Sequence, residues 1–179
     1  DRSGDTWHPT VLRGVNLTVD KSALIAKLGG EWFSDTFSTM QGKEAYEQVM
    51  GVWIMEIGEL AGMRKAEAET IKLYISKQSD RFRPAYGRRT QDFPRQCIFV
   101  GTTNETEFLR DTTGNRRFWI VDTPYQPELS VWKDLTPDVV DLVWAEAVEY
   151  YKQGEKLFLP PDLEAEARKV QTDYEEDNP

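Results

Sequence analysis

Two acidic residues follow a short apolar run near the middle of the chain, in the sequence VWIMEIGEL. Glu56 ends the run and Glu59 comes three residues later. Carboxylates at the tip of a buried strand suit the binding of Mg²⁺ and the polarisation of an attacking water molecule. We expect Glu56 on the metal side and Glu59 as the base. The reversed assignment, and a reading as two ordinary exposed acids, fit the same spacing.

A phosphate-binding loop is predicted upstream, where the sequence GVNLTVDKS joins an apolar run to a helical pattern. Such a loop points backbone N–H groups and a helix N-terminus at phosphates, while a Lys reaches their oxygens and a Ser binds Mg²⁺. The candidates for nucleotide binding are Gly14, Lys21 and Ser22, and those for the metal are Ser22 and Glu56.

The glycines of that loop are not in their usual places. Asp20 and Val15 stand where the pattern has glycines, and the one nearby glycine comes a step too early. A carboxylate beside phosphate is unfavourable, and a β-branched residue resists positive φ. Asp20 as a simple N-cap of the following helix therefore remains an alternative to phosphate binding.

Polar residues flank two later apolar runs. Asn104 ends QCIFVGTTN, where its amide could donate to a γ-phosphate or to water, and it is also an ordinary turn former. Arg116 and Arg117 precede FWIVD. An Arg held there could act across a subunit interface as an arginine finger, although a surface pair is the simpler interpretation.

One stretch, DRFRPAYGRR, is markedly basic in an otherwise acidic chain, and its Pro and Gly residues predict a hairpin or loop. Cations interleaved with an aromatic ring on a Gly- and Pro-containing loop suit single-stranded nucleic acid, with charges for phosphates and a ring for bases. The predicted DNA-binding residues are Arg81, Arg83, Tyr86, Arg88 and Arg89, with Arg95 following them. Arg residues paired with neighbouring acids are the alternative.

These candidates need a scaffold, which the hydrophobic pattern supplies. Apolar strand-like runs at 9–14, 51–56, 96–102 and 117–121 alternate with helical patterns at 21–28, 43–50, 64–78 and 137–153, and a last helix runs from 161 to about 174. Alternation of this kind predicts an α/β fold with a mostly parallel central sheet flanked by helices. The apolar stripe of the 137–153 helix is predicted to face the core, as are Trp53, Trp119 and Trp144.

Composition limits the remaining choices. The 179 residues carry a net charge of −9 and suffice for one α/β domain. We expect a core over residues 1–159 and a C-terminal helix with an acidic tail over 160–179. A single Cys97 inside an apolar run excludes a disulfide framework and indicates a buried thiol. This lone Cys and the lone His8 fit a reducing compartment, so a cytoplasmic protein is expected. No run suits a membrane span, so no membrane partner is expected.

Taken together, the motifs resemble the virulence-associated protein E family. The stretches that carry the likeness are GGEWFSD, WIMEIGELAGMRKAE, SDRFRPAYGRRTQDFPRQC, FVGTTNETEFLRD and TGNRRFW. The resemblance implies a P-loop NTPase fold of the AAA+ and superfamily 3 helicase type, with ATP and Mg²⁺ as cofactors. It also implies single-stranded DNA as a partner, a hexamer-like homo-oligomeric ring, and association with a primase domain or other replication proteins.

The resemblance matches Lys21 and Ser22 to the phosphate-loop pair, Glu56 and Glu59 to the acidic pair, Asn104 to the sensor, and Arg116 and Arg117 to the Arg motif. The predicted function is an ATP-hydrolysing, helicase-like motor of a phage or mobile-element replication protein in a bacterial cell. A catalytically degenerate module that binds DNA or a replication partner without hydrolysis is the alternative. A regulatory protein that acts through its acidic surface is a third.

Overall fold

The computed structural model describes residues 10–13, 21–58, 65–103, 117–123, 128–156 and 158–174. The predicted alternation of strands and helices is confirmed in these ranges. The strands are β1 (Thr10–Arg13), β2 (Phe33–Ser34), β3 (Ile54–Ile57), β4 (Ser79–Phe82), β5 (Gln91–Pro94), β6 (Ile98–Thr103) and β7 (Trp119–Asp122). The helices are α1 (Lys21–Gly29), α2 (Glu44–Glu47), α3 (Lys65–Ile75), α4 (Val131–Asp134), α5 (Pro137–Lys152) and α6 (Pro161–Asp173).

Five of these strands form one parallel sheet in the order β2-β3-β6-β1-β7. The prediction of a parallel sheet with flanking helices is thereby confirmed. The chain moves from β1 to one side of the sheet and returns across it to place β7 on the other side. Ligands of such sheets bind beyond the carboxyl ends of the strands, at the point where the strand order reverses. Here that point is the end of β1.

Helices cover both faces of the sheet, so β3 is buried along its whole length. Side chains alternate between the two faces of a strand. Met55 and Ile57 face a large cluster with Tyr74 of α3 and Tyr174 beyond α6, whereas Ile54 faces a smaller cluster with α1. Glu56 lies on the same face as Ile54. Because side chains alternate along β3, the Glu56 carboxylate points toward α1.

Helix α1 ends where two glycines allow a tight approach to the sheet. A Cβ on Gly29 would lie 2.8 Å from the Cβ of Phe33 in β2, and Gly30 has a φ of +53°. A residue in the left-handed region after the last turn is the usual way to end a helix. The sequence Gly29-Gly30 therefore sets both the length of α1 and its distance from the sheet.

Strands β4 and β5 form a separate antiparallel hairpin between α3 and β6. The basic stretch, which the sequence predicts as a hairpin or loop, forms this hairpin. Because it precedes β6, it projects from the amino edge of the parallel sheet, opposite the end of β1.

The inward orientation predicted for α5 is wrong. The helix begins as its sequence indicates, with Pro137 in the first turn and the Thr136 side chain accepting from the Val139 amide. None of its residues is buried, however, and Val143 and Val148 are 44% and 46% exposed. Its apolar stripe is present, but apart from Trp144, which contacts Trp53, the stripe is largely exposed among the described residues.

Two of the three tryptophans predicted to be in the core lie instead at the surface. Trp53 stacks on Trp32 with ring centroids 5.2 Å apart and meets the edge of Trp144 at 6.3 Å. Trp53 and Trp144 are 49% and 38% exposed, and Trp119 is partly buried. The rings bury area against one another rather than inside the sheet. None of the described helices is long and apolar enough to cross a bilayer.

Candidate functional site

Polar side chains from three elements meet at the carboxyl edge of the sheet. The Ser22 hydroxyl donates to Glu56 Oε1 at 2.6 Å, and the Thr102 hydroxyl donates to the same oxygen at 3.0 Å. The Lys21 ammonium donates to the Thr103 carbonyl oxygen at 2.7 Å. We call these five residues the edge cluster. Three predicted site residues, Lys21, Ser22 and Glu56, are thus brought together.

The fold explains why these residues meet. Lys21 and Ser22 form the first turn of α1, the element that follows β1 in the chain. Glu56 sits near the end of β3, and Thr102 and Thr103 end β6 beside it. Lys21 and Glu56 are only 8% and 4% exposed. Buried polar groups are normally satisfied, and here they satisfy one another.

The chemistry of the edge cluster fits a metal–phosphate ligand. The first backbone N–H groups of a helix have no partner within the helix, and with the helix dipole they attract anions. Mg²⁺ takes oxygen ligands, usually one or two protein groups together with waters and substrate phosphates. Ser22 Oγ and Glu56 Oε1 supply such oxygens, and Lys21 supplies a cation beside them.

Four predicted site residues, Gly14, Glu59, Asn104 and Arg116, lie outside the described residues. Arg117 is described, and its Nε donates to the Ser76 hydroxyl at 2.8 Å, just after α3. It precedes β7 and therefore lies at the amino edge of the sheet, opposite the edge cluster. In a parallel sheet, one chain cannot bring these two regions to the same phosphate.

The basic hairpin contains five arginines and two aspartates between residues 79 and 95. Both aspartates are paired. Arg95 donates to both oxygens of Asp80 at 2.7 and 2.9 Å, and Arg81 NH1 lies 3.0 Å from Asp92. Among the described contacts the tip arginines, Arg83, Arg88 and Arg89, have no ion-pair partner. The excess positive charge is therefore concentrated at the tip.

The tip also presents an aromatic ring to solvent. The Gly87 amide donates to the Pro84 carbonyl at 3.0 Å, which closes a tight turn with Tyr86 at its third position. Tyr86 has a φ of +64° and is fully exposed. A non-glycine residue in this region costs about 1–3 kcal/mol and is enriched at functional sites. The turn thus holds a solvent-exposed tyrosine ring between cations.

Buried contacts hold the base of the hairpin. The side chains of Arg95 and Asp80 are 4% and 2% exposed, and the Arg95 guanidinium lies 4.1 Å from the centre of the Tyr74 ring. Tyr74 donates to the Ala45 carbonyl oxygen. Burial raises the pKa of the Tyr74 phenol, so the ring stays neutral beside the ion pair. Arg95 is therefore an anchor of the hairpin and is not available to a ligand.

Thr102 and Thr103 belong to the site, but the sequence motifs did not single them out. The signal was a pair of hydroxyl residues at the end of the strand next to Glu56. In parallel strands the carboxyl ends share one edge, so Thr102 could be placed at the same edge as Glu56, but their contact depends on the register of the two strands. The roles of Asp80 and Arg95 had no such signal, because their pairing depends on the hairpin register.

The fold and the edge cluster define a parallel α/β domain with a polar site at the carboxyl edge of its sheet. The chain belongs to the virulence-associated protein E-like domain family, whose sequence profile matches residues 8–176. The resemblance seen in the sequence is thus confirmed. The chain matches no curated protein.

Two solved apo structures of the C-terminal region of NrS-1 are similar to this chain. One of them, the A form, aligns over 93% of this chain at 13% identity with a TM-score of 0.44. The other aligns over 94% at 11% identity with a TM-score of 0.45. The chain spans about a third of the length of these two chains, 34% and 36%.

Proposed function

We propose that this domain is the ATP-dependent, helicase-like motor of a phage or mobile-element replication protein, with a P-loop NTPase fold of the AAA+ and superfamily 3 type. The observation that carries the proposal is the meeting of Lys21, Ser22 and Glu56 at the end of β1. An invariable requirement of such motors is a cation, a hydroxyl and a carboxylate around the terminal phosphates. Family membership supports the link to phage and mobile-element replication.

In this proposal each described residue has one task. Lys21 binds phosphate oxygens, and Ser22 and Glu56 hold Mg²⁺, which when bound neutralises phosphate charge. Thr102 keeps the Glu56 carboxylate aimed at Ser22. Glu59 and Asn104 orient water and sense the γ-phosphate in the same edge region. Glu59 and Asn104 rest on the sequence alone.

The position of Arg117 supports a ring. An arginine at the amino edge of the sheet cannot serve the edge cluster of its own chain. It can serve that of a neighbouring copy, as an arginine finger acting in trans does. We propose a homo-oligomeric, hexamer-like ring in the bacterial cytoplasm, with Arg116 or Arg117 completing each site. A primase domain or other replication proteins are its proposed further partners.

The hairpin is the proposed contact with single-stranded DNA. Arg83, Arg88 and Arg89 have no described ion pair, and Tyr86 offers a ring between them. Arg81 contributes less, because it is paired with Asp92. Phosphates and bases are the ligands that match cations and an exposed ring.

The test is calorimetric titration with ATP and Mg²⁺ of the unaltered chain, of Lys21→Ala and of Lys152→Gln. Lys152 is an exposed lysine at the end of α5 and serves as the matched control. We expect binding that weakens about 10- to 100-fold in Lys21→Ala, the range for charge-assisted hydrogen bonds. Lys152→Gln should bind like the unaltered chain. Circular dichroism checks that Lys21→Ala remains folded.

A second candidate is a degenerate module that binds DNA or a replication partner without hydrolysing ATP. The sequence feature that favours it is Asp20 and Val15 in place of the loop glycines. Absence of ATP binding by the unaltered chain, together with intact DNA binding, would establish this second function in place of the first.

A further inference from the structure

A groove of about 440 Å³ lies between the tip of the hairpin and α2. Lys43 and Tyr46 line it on the α2 side, and residues 82–87 line it on the hairpin side. Its volume falls in the range of small-ligand sites, about 300–1,000 Å³. The groove is separate from the edge cluster, since the hairpin leaves the opposite edge of the sheet.

Aromatic rings form a firm wall of this groove. The rings of Tyr46 and Phe82 lie 5.8 Å apart, and Phe82 packs on Phe93 at 4.6 Å. The Lys77 ammonium lies 4.8 Å from the centre of the Tyr46 ring and donates to its hydroxyl at 3.3 Å. Tyr46 is therefore fixed in place before any ligand arrives.

The rim of the groove is cationic. Lys43 and Arg83 are among the described lining residues, and none of those residues is acidic. Lys43 is paired with Glu47 at 2.8 Å, but both side chains are about 40% exposed. An exposed helix pair of this kind contributes little, so a phosphate can replace Glu47 at low cost. Arg83 has no described ion pair.

We propose that the groove receives one unstacked base of single-stranded DNA, with Tyr46 and Tyr86 against the base and with Lys43 and Arg83 on the flanking phosphates. The inference rests on the proposed DNA contact of the hairpin and adds to it a second wall on α2. A ring stacks on any base, since every base has a π-face. An apolar peptide would match the rings but would make no use of the two cations of the rim.

The test compares two oligomers of equal length, an oligodeoxythymidylate and a chain of abasic sugar phosphates. In Tyr46→Leu, we expect affinity for the oligodeoxythymidylate to fall about 5- to 100-fold, the range for one stacked base, while affinity for the abasic oligomer is unchanged. Tyr46→Phe keeps the ring and should bind as the unaltered chain does. Tyr151→Leu, an exposed tyrosine of α5, is the matched control and should also leave binding unchanged.

An aminopurine base placed in the oligomer gives an independent signal. Stacking quenches its fluorescence, so the unaltered complex should be dim and the Tyr46→Leu complex brighter at saturation. Lys43→Gln should lower the affinity for both oligomers equally. It should also reduce the salt dependence of binding by the amount expected for about one phosphate contact. Thermal unfolding confirms that each variant is folded.

Three outcomes separate this inference from the function on which it rests. If Tyr46→Leu lowers the affinity for both oligomers equally, the base site is overturned, because Tyr46 then acts only by packing against the hairpin. Unchanged binding in Tyr46→Leu, with loss in Arg88→Ala plus Arg89→Ala, overturns the base site and keeps the DNA contact. No weakening in any of these variants overturns both.

Discussion

The edge cluster and the hairpin tip hold their polar groups in opposite ways. At the edge, Lys21 and Glu56 are buried and each has a protein partner within 3.0 Å. At the tip, Arg88 and Arg89 are exposed and have no described ion pair. A ligand at the edge must therefore replace protein hydrogen bonds, whereas a ligand at the tip replaces only water. The first site selects by geometry, and the second selects by charge and is sensitive to salt.

The same contrast recurs within the hairpin. Asp80 and Asp92 both pair with an arginine, but the first pair is buried and the second is 71% and 59% exposed. Burial raises the cost of an unpaired charge, because water can no longer solvate it. Comparing the buried pair with the exposed pair is thus a direct way to test what holds the hairpin in place.

The largest effect is expected from Asp80→Ala. The change leaves Arg95 buried without its carboxylate, and breaking such a pair costs about 3–5 kcal/mol. Asp92→Ala removes an exposed pair worth about 0–1 kcal/mol. Urea unfolding followed by circular dichroism measures both. Equal losses in the two variants would show that burial does not distinguish the two pairs.

The next effect is expected from Glu56→Gln. The amide retains an oxygen for the Ser22 and Thr102 hydroxyls but loses the charge that attracts Mg²⁺. If the proposed function is right, Mg²⁺ will strengthen ATP binding in the unaltered chain, and this gain will shrink about 10- to 100-fold in the variant. Calorimetry with and without Mg²⁺ measures it. Glu47→Gln, at an exposed acid of α2, is the control. If Mg²⁺ strengthens ATP binding in Glu56→Gln as much as in the unaltered chain, Glu56 does not belong to the metal site.

A smaller effect concerns the salt dependence of DNA binding. Arg88→Ala plus Arg89→Ala should lower the slope of log affinity against log salt by about 1.4, at about 0.7 for each single-strand phosphate contact. Arg81→Ala should change the slope less, because Arg81 is paired with Asp92. Fluorescence anisotropy at several salt concentrations gives these slopes. A slope unaffected by the double change would exclude the tip as the phosphate contact.

The smallest effect is a pH dependence of stability. Burial raises the pKa of the Cys97 thiol above its usual value of 9.0. Its contribution to stability is therefore complete below pH 9.0 and is lost as the pH rises from there toward the raised pKa. Cys97→Ala should remove this fall in the free energy of unfolding between pH 9.0 and pH 10.0, a difference of at most about 1.4 kcal/mol. The range ends at pH 10.0 because that is the usual pKa of the Tyr74 phenol. Urea unfolding at these pH values measures it, and identical slopes in the two proteins would contradict it.

The central strands could be predicted because their sequences carry the information locally. β3 and β6 are continuous apolar runs, as buried parallel strands require, and the polar residues at their ends mark the shared edge. Glu56 followed from that edge, whereas Lys21 and Ser22 followed from the loop pattern between a predicted strand and a predicted helix. Their hydrogen-bond partners did not, because Thr102 and Thr103 became specific only through register.

Exposure was harder to predict than secondary structure. The period of α5 correctly indicates a helix with one apolar face, but a period says nothing about what covers that face. In the sequence, Arg95 likewise looks like one more cation of a basic stretch. Only the folded hairpin brings it to Asp80. In both cases the missing information is a contact between residues distant in the chain. Such contacts are what local propensity does not contain.

Helix α1 contacts two different parts of the molecule at its two ends. Its first turn lies in the edge cluster, while near its end Lys27 donates to the carbonyls of Val131 and Leu135 at 2.8 and 3.0 Å. The Trp144 indole donates to the Leu28 carbonyl at 2.8 Å. Nine helical residues form a stiff rod about 13 Å long. The same short helix therefore carries the contacts of the edge cluster at its first turn and the contacts with α4 and α5 at its last turn.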